Sequence, residues 1–181
     1  PDSWGTAPFC RMAMASAIEV DLEASARRYE AIHLAWPAAV EAEAEWLASI
    51  GPDLLLSNVA SLPLAAAERA GLPAVALSSL HWAAIHGHYL PDSPGGAKTQ
   101  KQIERAYASA RAFIQVTPGL AAAFGNRTET VGPIARTGRT RRPELLARLD
   151  RPDGARVVLV SPGGIEFPER IVRLPRIDGV V

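Results

Sequence analysis

Three short stretches of this chain carry residue types that could do chemistry. The first is Ser57-Asn58, which closes the apolar run Leu54, Leu55, Leu56. The second is Ser78-Ser79, which closes the run Ala74 to Leu77 and leads into His81, Trp82, His86, His88 and Tyr89. The third is Ser161-Pro162-Gly163-Gly164, which follows the apolar stretch Arg156 to Val160. Glycines after a buried strand let the backbone approach a ligand and turn N–H groups toward a phosphate. A diphosphate leaving group needs that help, because charge builds on it as it departs. The other reading of Ser161, Gly163 and Gly164 is a tight strand-to-helix turn with no ligand, and Pro162 lacks an N–H in either case.

Each polar side chain also has two readings. His81, near a strand end, could act as general base toward an acceptor hydroxyl, since imidazole titrates near neutrality; otherwise it caps a helix or faces solvent. Asn58 cannot take a proton, but it can hydrogen-bond a hydroxyl; otherwise it is the N-cap of the next helix. Ser57 and Ser79 stand beside them as hydroxyl partners. Trp82 and Tyr89 could form an apolar platform for a sugar or lipid acceptor, or pack as core and lid. His33 lies on a helix stripe, as a packed or half-exposed residue. His86 and His88 are two apart and do not share a helical face. No carboxylate or cysteine completes a ligand set near them, so no metal is expected. Cys10 has no activating neighbour, and the sequence cannot set Asp153 and Glu166 face to face as a glycosidase pair.

The elements that must position these residues follow from periodicity. Leu22 to Ile50 predicts a helix capped by Asp21, with Leu22, Ala26, Tyr29, His33 and Trp36 as its stripe, split by Pro37 and stopped by Gly51-Pro52. Then come a strand at 53–57, a helix at 62–70 ended by Gly71, a strand at 74–78 and a helix from near His81 to before Pro91. Pro91 to Gly96 is a loop. A helix at 98–110, a strand at 112–116, a short helix at 118–124 and a strand at 128–131 complete the series. Residues 1–20 read as loop, with Met12 to Val20 a short helix or an irregular connection. Gly132-Pro133 breaks the pattern, the basic run ARTGRTRR (135–142) reads as a solvated linker, and 143–149 reads as a short helix. Strands are expected at 156–160 and 177–181. Short apolar strands alternating with amphipathic helices predict parallel βαβ units, hence an α/β, Rossmann-like, doubly wound sheet. The expected domains are 1–133, a linker at 134–151, and the start of a second lobe at 152–181. Beginning at Pro1 and ending in a strand, the chain reads as part of a longer polypeptide.

Composition narrows the function classes. Nineteen basic residues balance nineteen acidic ones, which gives no global field for nucleic acid. The cluster Arg136, Arg139, Arg141, Arg142 has no interleaved aromatic. One cysteine rules out an intrachain disulfide and suits a reducing, cytoplasmic setting. No apolar run approaches the ~20 residues that span a bilayer, and residues 1–10 lack the form of a signal peptide.

In order and content these signals resemble the GT-B glycosyltransferases, two Rossmann-like lobes facing a cleft, and within them the MurG-like and glycosyltransferase family 28-like proteins. Three stretches carry the resemblance: PDLLLSNVASLPLAAAERAGLPAVALSSLHW, VGPI at 131–134, and RVVLVSPGGI at 156–165. Asn58 stands where many relatives have Asp, and Pro162 departs from the usual glycine turn. The resemblance implies transfer of a sugar from a nucleotide diphosphate sugar to a small-molecule or lipid-linked acceptor, with no further cofactor and no metal. It implies a donor diphosphate near Ser161, Gly163 and Gly164. It implies an acceptor near Ser57, Asn58, Ser79, His81 and Trp82, with His81 or Asn58 nearest the chemistry. A nucleotide-sugar epimerase of the same architecture and a non-catalytic sugar-nucleotide-binding module are the alternatives.

Overall fold

A computed structural model gives the fold; the structure describes residues 11–16, 19–125 and 127–159. Cys10, Ser161, Gly163, Gly164, Glu166 and the strand expected at 177–181 lie outside the described residues. The backbone falls into two units, one ending at Ile134 and the other beginning at Ala135, with Met14–Glu19 grouped with the latter.

Where a short helix or an irregular connection is expected, β1 (Ala13–Met14) and β2 (Val20–Asp21) form a two-stranded ribbon. Asp21 then caps α1 (Leu22–Leu34), its side chain accepting from the Ala24 N–H at 2.8 Å. The break before α2 (Trp36–Ile50) falls at Ala35, where Pro37 sits in the first turn of the new helix and needs no N–H donor. Strand β3 (Leu55–Asn58), helix α3 (Leu62–Ala70) and strand β4 (Ala74–Ser78) follow. Gly51 and Gly71 end α2 and α3 in the left-handed region, which only glycine enters without a steric penalty. Then come α4 (Trp82–Tyr89), α5 (Gly96–Ala108), β5 (Ala112–Val116) and β6 (Arg127–Val131).

The four strands form one parallel sheet in chain order, β3-β4-β5-β6. Right-handed crossovers that advance in one direction place their helices on one face. That face carries Ser57, Ala76 and Phe113 in register, all buried, under α3 and α5. Leu64, Ala66, Ala67, Ile103 and Tyr107 complete the core there. Helix α2 lies on α3, tied by a two-pronged Arg69–Glu41 pair at 2.8 and 3.0 Å. On the opposite face stand Leu56, Val75, Leu77, Ile114 and Val116. Leu56 there is 59% exposed, and Leu54, just before β3, is 53% exposed. The architecture is α/β and Rossmann-like; no reversal of strand order occurs among the described residues.

A further predicted element differs. Residues 118–124 form no helix. The Leu120 N–H donates to Ser79 O at 2.8 Å and the Ala122 N–H to Gln115 Oε1 at 3.0 Å. Tertiary acceptors have taken the donors that a helix would use, so the segment runs as a strap along the ends of β4 and β5.

In the second unit Pro143 opens α6 (Arg142–Arg148), on which Leu146 is buried. The basic run before it is exposed, as a solvated segment should be. Of the strand expected at 156–160, Arg156 makes an isolated bridge and 157–159 join no ladder.

Candidate functional site

In parallel α/β sheets ligands bind beyond the carboxyl ends of the strands. Here β3 ends in a turn with unusual backbone. Val59 has φ of +63°, a region that a β-branched residue enters only under strain. The Ala60 N–H donates to Asn58 O at 2.9 Å, closing a three-residue turn of the γ type about Val59. Three further bonds fix it, and a fourth ties the last of them to α4. The Val59 N–H donates to Leu77 O at 3.3 Å, and Ser57 Oγ donates to Ala60 O at 2.7 Å. The Tyr107 hydroxyl donates to Val59 O and accepts the Trp82 N–H at 3.2 Å. Strain persists where surrounding structure over-determines it, and such places concentrate at ligand sites. The turn leaves Asn58 exposed, with no hydrogen-bond partner for its amide among the described residues. Ser61, three residues on, holds the N-cap position of α3, so Asn58 is not that cap.

The end of β4 makes the adjoining part of the rim. Ser78 is buried and its hydroxyl accepts the Leu80 N–H at 3.2 Å. Ser79 is exposed, and its carbonyl is held by the strap at Leu120. Gly119 is what allows that approach: a Cβ there would lie 2.3 Å from Ser79 O and 2.6 Å from Val116 O.

His81 sits below this rim, 5% exposed. Its Nδ1 accepts the Ala84 N–H at 3.1 Å, capping α4. Its Nε2 lies 2.9 Å from Ala121 O. An amide N–H only donates and a carbonyl only accepts, so the ring proton is on Nε2. The edges of Tyr107, Phe113 and Phe124 surround the ring. Both ring nitrogens are thus engaged, and the general-base role expected for His81 requires one of these bonds to open. Trp82 is half-buried against the core, while Tyr89 is 41% exposed.

The structure therefore brings Ser57, Asn58, Ser79, His81 and Trp82 to one end of one sheet. It divides them into two kinds. Ser57, His81 and Trp82 build the rim; Asn58 and Ser79 are presented on it. The described strand-end residues 58–60, 78–81, 117–120 and 131–133 include no ionisable group except His81, and no cluster of metal-ligating side chains occurs among the described residues. Sequence reasoning missed Val59, Tyr107 and Gly119. The Pro118-Gly119 pair is a turn signal that was available. Tyr107 sits on an ordinary helical stripe, and nothing local marks its two partners. Comparisons with family models, with curated proteins and with solved structures gave no match to this chain.

Proposed function

We propose that the chain belongs to a glycosyltransferase that moves a sugar from a nucleotide diphosphate sugar to a hydroxylated acceptor. The acceptor lies against Asn58 and Ser79. The donor diphosphate lies near Ser161, Gly163 and Gly164, as the resemblance to GT-B proteins implies, and closure of two lobes would exclude water from the activated donor. The observation that supports this reading most is the over-determined turn at Val59, which holds an unpartnered amide at the carboxyl end of a parallel strand. Asn58 and Ser79 orient a hydroxyl in this scheme; neither removes its proton at neutral pH. The engaged nitrogens of His81 favour, as a second reading, a sugar-nucleotide-binding module without catalysis.

The test is turnover of a panel of nucleotide sugars, with products identified by mass spectrometry and binding followed by calorimetry. Transfer to an acceptor, or slow hydrolysis, is the expected result; the Asn58→Ala, Ser79→Ala double variant should lose at least ~10-fold in kcat/KM, the scale of one lost orienting contact. An isomerised sugar would identify an epimerase, and binding without chemistry the second reading. No binding of any nucleotide sugar would overturn both.

A further inference from the structure

Two imidazoles lie inside the helical layer. His33 of α1 is 5% exposed and His86 of α4 is 1% exposed. His33 Nδ1 is 2.6 Å from Gln102 Oε1, and His86 Nδ1 is 2.7 Å from Gln100 Oε1. The Gln100 amide is oriented by its other contacts, since Nε2 donates to Ala83 O at 3.0 Å and to Glu104 Oε1 at 2.8 Å. Its Oε1 is then the acceptor, and His86 supplies the proton from Nδ1. The His86 Nε2 is left as a lone pair, buried, with no hydrogen-bond partner among the described residues. The Tyr29 ring packs against His86, 5.0 Å between centroids, and stacks on His33, which stacks in turn on Trp36 at 4.7 Å.

A second proton on His86 would put an N–H at Nε2, where no described acceptor is bonded to it, and a charge inside the buried layer. Among the described residues, the groups that face it from α1 are Tyr29 and the imidazole of His33. From α5 they are Gln100 and, behind it, the Glu104 carboxylate, which is bonded to Gln100 rather than to His86. On α4 itself His88 and Tyr89 are exposed and packed edge-to-face on each other. Burial holds both His33 and His86 below the usual histidine range, and the charge of one opposes that of the other. Helix α4 is also the shortest helix of its unit, eight residues, and is followed by the exposed turn at 91–95.

We propose that His86 is an acid-operated latch: on gaining its second ring proton it leaves the interior and releases α4 from α1 and α5, while the parallel sheet stays folded. The release reaches the rim. The first N–H of α4, at Trp82, is bonded to the Tyr107 hydroxyl that also fixes the Val59 turn. Ligand binding at Asn58 and Ser79 should therefore weaken as pH falls, whatever the ligand.

The experiment is hydrogen exchange read by mass spectrometry on the whole chain between pH 7.5 and 5.5, corrected for intrinsic exchange. One imidazole that regains its ordinary pKa on release raises the opening equilibrium across that interval, at most about tenfold. The expected result is that rise in peptides covering 82–96, with peptides from β3, β4 and β5 unchanged. His86→Phe packs against Tyr29 and takes no proton, so its peptides should show no pH response. His86→Gln serves the same purpose if the Phe variant fails to fold, and His33→Phe should keep the response. A rise that survives in the His86 variants, a response abolished by His33→Phe, or simultaneous opening of the sheet peptides would each overturn the proposal.

Discussion

One hydroxyl, that of Tyr107, joins two parts of the rim that are far apart in the chain: it donates to Val59 O and receives the Trp82 N–H. Tyr107→Phe removes both bonds and leaves a part-buried carbonyl and a part-buried N–H to be satisfied by water, which costs about 1–3 kcal/mol in all. A drop of that size in chemical denaturation is the expected outcome, and unchanged stability would refute the joint. Val59 makes the opposite case. Its positive φ stores about 1–3 kcal/mol, so Val59→Gly should leave stability equal or raised by about 1 kcal/mol while lowering affinity for a rim ligand. A stability loss above 1 kcal/mol would show the turn to be unstrained. Asn58 and Ser79 were legible in the sequence, because small polar residues closing an apolar run mark strand ends. Val59 was not, since nothing in NVAS announces the sign of φ at its second residue. Tyr107 was legible only as a core residue, because its two partners are 48 and 25 positions away.

Most elements could be read from the chain. Helix α3 and strands β4 and β5 fall at the predicted residues, because Gly71, Pro73 and the apolar runs set sharp limits. The helix predicted at 118–124 failed for a physical reason: its composition, LAAAF, favours helix, but Gly119 must pass against Ser79 O and the next N–H groups are claimed from outside. Tertiary bonds override propensity here. Gly119→Ala should displace the strap and destabilise by about 1–3 kcal/mol, as overpacking does, seen as a lowered melting temperature. The helical layer adds a pH dependence. His33 and His86 have folded values below the free one, so the unfolded chain binds more protons in acid. Their stabilising contribution is complete above about pH 6.5, the free value, and is lost as pH falls below it. Denaturant midpoints measured from pH 8 to pH 5 should fall at the acid end, and fall less in His86→Phe.

At the scale of the whole molecule, the sheet and the face turned away from α3 and α5 matter most. Parallel sheets are normally covered on both sides; on that face Val75, Leu77, Ile114 and Val116 are half-buried, while Leu56 at the edge, and Leu54 just before β3, are more than half exposed. Any concentration-dependent association seen in sedimentation should be reduced by Leu54→Lys with Leu56→Lys, with the unfolding free energy unchanged to within about 0.5 kcal/mol, as for surface changes. Equal association in the variant would clear that face of responsibility. The exposure of Leu56 could not be read from the sequence, since apolar strand runs look alike whether covered or bare. The strand order carries one more consequence. Because spatial order equals chain order from β3 to β6, every new strand docks on the one most recently made. A ribosome releasing this polypeptide would extrude the sheet in the order of its assembly, so no early strand has to wait for a distant later one to fill a gap beside it.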